Sequence, residues 1–254
     1  MAAPGTQRWL PTAVGVSSIV FILAVVEGLI RVGLINRFIV PLPSEVIASF
    51  GRVIFEENIL RRFLLTAWEC LASGLLLTAF GVAIGVLLHQ VKLFRLACET
   101  WVAAFASAPL VLAYPLFLVL FGRSSTTIIM LAFISGLPPV ILKTIEGMSA
   151  TRRVLVNVGL SFKLTPAQQF WKIYFPSALP TIFVGIRLGL IFALINVVGV
   201  EFLINFGGLG QLINDLAERY DLPGTYAAIC FVILVSVIFF ATTERVERWL
   251  TSAR

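Results

Sequence analysis

The residues of this chain that could do chemistry are few and sit in apolar surroundings. Asn196 and Glu201 fall in the run NVVGVEFLINFGGLGQLI, with Glu201 several residues short of its glycines. An ionisable group inside an apolar span is costly and marks a functional position by default. Glu201 is therefore expected to face a cavity or a partner rather than lipid, a gate role standing beside a structural one. Glu27 and Arg31, four residues apart, are placed to pair on one helix face. Glu69 is read as reaching the outer interface, and Arg187 as a structural anchor snorkelling to the cytoplasmic surface. His89, the one histidine, reads as an interfacial residue at a helix end. Cys70, Cys98 and Cys230 are odd in number and dispersed, which suits packing better than a disulfide framework or a metal site. The sequence has no HExxH, no GxSxG, no Walker A loop and no pair of intramembrane aspartates. No catalytic residue, metal ligand or bound cofactor is expected. Gly207-Gly208-x-Gly210 follows no strand and is expected to be a turn into a short outer helix rather than a phosphate loop.

The elements that must position these groups are membrane helices. Of the 254 residues, 59% are hydrophobic and only 13% charged, where a soluble domain carries roughly 25% charged. Mean hydropathy is +1.00. A span needs about 20 apolar residues, and six segments approach that: Ala13–Leu34, Phe63–Leu88, Trp101–Phe121, Thr126–Ile145, Leu179–Phe206 and Pro223–Thr243. Pro109 and Pro115 are expected to kink the third. The fourth is short and contains Pro138-Pro139. The first apolar run ends without a small-x-small cleavage site and is read as a retained span. The fold class is thus all-α, a polytopic membrane protein of about six transmembrane helices in a single domain, residues 1–254.

The net charge of +6 comes from basic residues scattered between the apolar blocks. They orient a membrane protein and do not make a nucleic-acid face. With the N-terminus inside, eleven fall on inside segments (Arg8, Lys92, Arg95, Lys143, Arg152, Arg153, Lys163, Lys172, Arg245, Arg248, Arg254) and seven outside. The bias places both termini in the cytoplasm. Ser44–Arg62 is amphipathic and is expected to lie on the outer surface as an interfacial helix.

One connection is long. Residues 146–178 form a cytoplasmic loop expected to hold two short helices, Val154–Phe162 and Pro166–Tyr174, around a Lys163–Thr165 turn. Thr165 is placed to cap the second with Pro166 at its first position. That helix is expected to stop at Pro176, and the next span to start at Pro180. Two small-xxx-small patterns, Gly81/Gly85 and Gly185/Gly189, mark close helix approaches, read as general packing rather than a specific dimer contact.

This loop resembles the EAA loop of permease subunits of type I ABC importers. Its tail, Ile173-Tyr174-Phe175-Pro176, then Leu179-Pro180 and GIRLGL, fits the family pattern. Lys163 stands where the family has Gly, and Asn157-Val158-Gly159 where it has Glu-Ala-Ala, so the leading half is degenerate. Val26-Glu27, Pro43-Ser44-Glu45-Val46, YPLFLVLFG (114–122), LPPVILKT (137–144) and Glu201 with GGLGQLI are similar, in order, to the nitrate/sulfonate/taurine group over about residues 20–250. The resemblance implies an importer permease of MetI-like fold in the cell inner membrane. It implies a homodimer embedded in lipid, a cytoplasmic ABC ATPase dimer that uses ATP and Mg, and an extracytoplasmic substrate-binding protein. It places ATPase coupling at Asn157, Gly159, Lys163, Leu164, Pro166, Gln168 and Trp171, and the translocation pathway at Ser107, Pro109, Asn196 and Glu201. Lys163, larger and charged, is expected to need a different backbone path from the family's glycine. The departures at Asn157 and Lys163 leave open a permease-derived scaffold or regulatory subunit with weakened coupling.

Overall fold

The computed structural model describes residues 10–252, with the side chains of 13–248; Arg8 and Arg254 of the charge count lie outside them. The described residues are all helical or in turns. In order the elements are α1 (Leu10–Arg31), α2 (Pro43–Glu56), α3 (Ile59–Gln90), α4 (Lys92–Ala106), a 3-10 turn (Leu110–Ala113), α5 (Tyr114–Phe121), α6 (Ser125–Ser149), α7 (Arg153–Ser161), α8 (Pro166–Gln169), a π turn (Phe170–Tyr174), α9 (Phe175–Ile204), α10 (Gly208–Glu218) and α11 (Leu222–Ser252). Five stretches are long and apolar enough to span a bilayer: Ala13–Arg31, Ile59–Gln90, Ser125–Ser149, Pro166–Ile204 and Leu222–Arg248. A sixth exists if α4 and the segment Leu110–Phe121, bent by 89°, count as one broken span.

The chain forms two compact units. The first holds residues up to Leu60 together with Leu212–Phe231. In it α1 exposes Val14, Phe21 and Ile22, as an apolar helix facing lipid does. The expected Glu27–Arg31 ion pair forms at 2.5 Å, and Ser44 adds a hydrogen bond to Glu27 at 3.1 Å. Arg52 pairs with Asp221 at 2.5 Å and Arg219 with Glu57 at 2.8 Å. The amphipathic segment is shorter than the sequence suggested. It ends at Glu56, because Asn58 takes a left-handed turn (φ 52°) and Ile59–Arg62 already belong to α3.

The second unit, Arg61–Gln211 with Val232–Arg254, is built around α6. Its core gathers Leu77 from α3, Ile128, Leu131 and Val140 from α6, and Val197 and Val200 from α9. Both glycine stripes serve this packing. A Cβ at Gly81 would meet Val140 and one at Gly85 would meet Thr144, so α3 lies on α6 at these points. Gly185 faces Lys143 and the Pro139 carbonyl, while Gly189 and Gly136 each face the other's carbonyl oxygen. Small residues let helix backbones approach closely where lipid offers no hydrophobic drive to associate.

Proline acts differently at each site. The third span is broken, not kinked. Ser107–Pro109 leaves helical geometry at the 89° bend, and Pro115 sits harmlessly in the first turn of α5. The fourth span is not short: α6 runs 25 residues straight through Pro138-Pro139. Nor does the chain stop at Pro176 or restart at Pro180. Helix continues from Pro166 to Ile204, because the π turn just before Pro176 changes the bonding partners where the proline N–H is missing.

Candidate functional site

Two places concentrate the groups singled out by the sequence, both in the second unit. The first is the elbow between α6 and α9. α7 ends in paired reverse bonds, Lys163 N–H to the Leu160 carbonyl at 2.9 Å and Leu164 N–H to the Gly159 carbonyl at 3.0 Å. Lys163 itself is left-handed, φ 51°. This is a Schellman ending, in which the left-handed position is normally glycine. Lys163 therefore does serve as the tight turn. It follows the backbone path that glycine would take, against the expectation of a different one, because the two reverse bonds hold it there. The non-glycine residue costs about 1–2 kcal/mol in that conformation. Lys163→Gly is accordingly expected to raise the unfolding free energy by about 1 kcal/mol with the helical content unchanged. Denaturant titration by circular dichroism measures it, and an unchanged or lowered stability would count against the assigned turn.

After this turn the expected cap forms in full. Thr165 accepts from the Gln168 N–H at 3.3 Å, and the Gln168 side chain accepts from the Thr165 N–H at 2.9 Å, with Pro166 at the first helical position. Gly159 is the point where α7 touches the π turn: a Cβ there would meet Ile173 Cδ1 at 2.5 Å. Phe170, Trp171 and Phe175 stack edge-on or tilted, with ring centroids 5.1–5.9 Å apart. Gln169 donates to the Leu164 carbonyl at 3.3 Å. Tertiary contacts brace the elbow's surroundings. His89 lies 6.0 Å from Tyr174 and 3.3 Å from the Ser149 hydroxyl, to which Arg95 also donates at 2.8 Å. Yet the outer face is apolar and bare. Phe162 is 76% exposed and Trp171 65% exposed, beside a groove of ≈ 410 Å³ lined by Leu155, Val158, Phe162 and Lys172 among others. Asn157 and Gly159 lie on α7, Lys163 and Leu164 in the turn after it, Pro166 and Gln168 on α8 and Trp171 in the π turn.

The second place is the C-terminal end of α9. Glu201 is fully buried. One carboxyl oxygen accepts from the Thr66 hydroxyl of α3 at 2.7 Å, the other from the Gly210 N–H at 2.8 Å. Thr66 in turn accepts from the Leu209 N–H at 2.9 Å. Glu201 thus satisfies the Gly210 N–H and Thr66 the Leu209 N–H, two of the first amides of α10 that a helix N-terminus leaves unpaired. Gly208 is required here: it is left-handed (φ 71°), and a Cβ would overlap the Glu201 carboxyl. The Gly207-Gly208-x-Gly210 run is the expected turn into a short helix. Asn205, also left-handed (φ 52°), closes α9.

Asn196 donates to the Phe192 carbonyl at 2.9 Å and leaves its buried Oδ1 without a partner. Ser107 and Pro109 lie at the break after α4, where Ser107 is exposed; no side-chain hydrogen bond joins them to Asn196 or Glu201. One reading of a charged residue changes. Glu69 does not reach the outer interface: it is fully buried beside Ser125 and Glu201, because the residues around it come from α3, α6 and α9 together. Arg187 is a structural anchor as expected, its partly exposed side chain paired with Glu247 at 2.9 Å and lying 5.5 Å over the Phe240 ring. Glu69 could not have been singled out from sequence, since its partner stands on a helix far along the chain. The three cysteines are free.

Residues 77–252 match the family described as binding-protein-dependent transport system inner membrane component, and the chain belongs to it. As such it is a membrane permease component of a binding-protein-dependent importer, and it is similar to ABC importer permeases of the nitrate/sulfonate/taurine group. It is 25% identical over 253 residues to the putative aliphatic sulfonates transport permease protein SsuC of Bacillus subtilis, covering 99% of this chain and 91% of that one. It is 23% identical over 226 residues to the taurine transport system permease protein TauC of Escherichia coli, covering 86% and 81%. An inward-facing form of the MetNI methionine ABC transporter matches the fold with TM-score 0.65 at 20% identity, over 77% of this chain and 97% of that one.

Proposed function

We propose that the elbow of α7, α8 and the π turn is the docking element for a cytoplasmic ABC ATPase. Asn157, Gly159, Lys163, Leu164, Pro166, Gln168 and Trp171 form or support its surface. The observation that carries this reading is the capped, locally rigid turn presenting the exposed Phe162 and Trp171. A short helix laid into a groove binds through such apolar anchors. Because Pro166–Ile204 is one continuous helix, a push on the elbow passes along α9 without an intervening joint.

In this scheme the protein acts as a homodimer in the inner membrane, with both termini cytoplasmic. A substrate-binding protein delivers a small solute from outside: an anion such as a sulfonate, nitrate or taurine, or a vitamin-like or aromatic compound. ATP and Mg belong to the ATPase, and this chain binds no cofactor of its own. Ser107 and Pro109 at the break after α4, with Asn196 and Glu201 on α9, are assigned to the pathway. The unpartnered Asn196 Oδ1 supports that assignment.

The test is co-purification with the cognate ABC ATPase and measurement of its hydrolysis in proteoliposomes. Trp171→Ala and Phe162→Asp are each expected to weaken ATPase binding by about tenfold or more, the cost of truncating an interface anchor. Melting temperature should not change, since both side chains are exposed. Unaltered binding in both variants would overturn the docking assignment. Normal binding without solute-stimulated hydrolysis in the unmodified chain would instead identify a scaffold.

A further inference from the structure

The carboxyl groups of Glu69 and Glu201 come together inside the helix bundle, and the established role of the chain does not use them as a pair. Both residues are 0% exposed. Glu69 stands on α3 one turn after Thr66, and Glu201 on α9. The two carboxyls lie within interaction range of each other, with Ser125 at the start of α6 beside Glu69. Their hydrogen bonding is unequal. Glu201 receives a donor on each oxygen, the Thr66 hydroxyl and the Gly210 N–H. Glu69 faces the Ser125 hydroxyl and the Glu201 carboxyl, and neither of its oxygens receives a hydrogen bond of good geometry.

Two adjacent carboxylates would repel strongly in so dry a site, and neither could donate to the other. The remaining polar and titratable groups facing them do not supply a counter-charge. From α3 come Thr66 and the buried Cys70 thiol; from α6 comes Ser125; from α10 come only backbone amides. No lysine, arginine or histidine side chain acts on Glu69 among the described residues. A single hydrogen on Glu69 resolves the conflict. It turns an acceptor with nothing to accept into a donor aimed at a carboxylate, and O–H to carboxylate bonds are among the strongest a protein makes. Glu201 is the natural acceptor of the two, because each of its oxygens already receives a donor and it lies at the N-terminus of α10.

We propose that Glu69 and Glu201 form a buried acid–carboxylate pair that holds one proton, Glu69 as the acid and Glu201 as the acceptor, and so latches the start of α10 to α3. The proton comes from the outer aqueous phase; one O–H bond forms at Glu69, and one breaks when the latch is released. Release leaves two like charges side by side, so the junction weakens as pH rises. The latch thereby makes the C-terminal end of α9 sensitive to external proton concentration.

The experiment uses the full chain in lipid nanodiscs. Infrared spectra in H2O and D2O are recorded while pH is raised from mildly acid to alkaline, alongside thermal unfolding, for the unmodified protein and for Glu69→Gln. Gln has the shape of the protonated acid and cannot ionise. The expected result is a carboxylic-acid C=O band in the unmodified protein that shifts in D2O and disappears at alkaline pH, with a parallel drop in melting temperature. In Glu69→Gln the band is absent, and the alkaline drop is lost. Absence of the band in the unmodified protein overturns the proposal without recourse to any variant. So does an identical band and pH profile in Glu69→Gln. A saturable rise in stability with Na+ or K+ at fixed pH, lost in Glu69→Gln, would also overturn it and make the pair a metal-cation site.

Discussion

Gly189→Val is expected to prevent the second unit from folding, or to leave it too unstable to survive purification. At this position α9 meets α6 backbone to backbone. A Cβ on Gly189 would stand 2.6 Å from the Gly136 carbonyl oxygen, 2.8 Å from Val140 Cγ2 and 3.2 Å from Leu77 Cδ1. The first of these is main chain and cannot swing aside. Leu77 and Val140 are themselves fully buried in the core cluster. Overpacking a tight core costs about 1–3 kcal/mol and more where backbone must move; valine adds two methyl groups beyond the Cβ. Gly189→Ala is expected to be milder but still destabilising. Gly28→Ala is the control, since nothing lies within 4 Å of a Cβ there. Thermal unfolding in detergent separates the three. Should Gly189→Val melt with the unmodified protein, the close approach of α6 and α9 is wrong.

Glu201→Ala is expected to lower stability by about 2–4 kcal/mol, the cost of stranding two buried donors and opening a void. The donors are the Thr66 hydroxyl and the Gly210 N–H, at 2.7 and 2.8 Å. The Gly210 N–H then has no acceptor in a buried site, and Thr66, which holds the Leu209 N–H, loses its own partner, so the segment from Gly207 onward should loosen first. Hydrogen exchange at residues 207–211 should rise more than exchange in α6. Glu201→Gln keeps one oxygen to accept and should lose less than half as much. Equal and small losses for both substitutions would show that Glu201 does not hold α10.

Much of this protein is legible in its amino-acid order. Apolar runs mark spans because backbone groups in hydrocarbon must pair within their own segment, so about 20 apolar residues can hardly be anything but a membrane helix. Local devices are equally readable. Thr165, Pro166 and Gln168 form the expected cap, and Glu27 reaches Arg31 one turn on, because both arrangements need only neighbours in sequence. The prolines are not readable in this way. Pro109 sits at a sharp break while Pro138-Pro139, Pro176 and Pro180 lie inside continuous helix. The residue is the same; what differs is the packing and the local π turn that replace the lost bonds.

The same division holds for the charged groups. Sequence alone assigns the chain to the membrane, with a helical elbow between two spans and with Glu201 set where a carboxyl must be answered by something polar. Which group answers is decided by tertiary structure. Thr66 and Glu69 are far from Glu201 in sequence and meet it only when α3 and α9 pack, and Lys163 takes a left-handed turn only because two reverse bonds close behind it. Periodicity and hydropathy act over one or two helical turns, whereas a buried polar contact depends on which faces of distant helices meet.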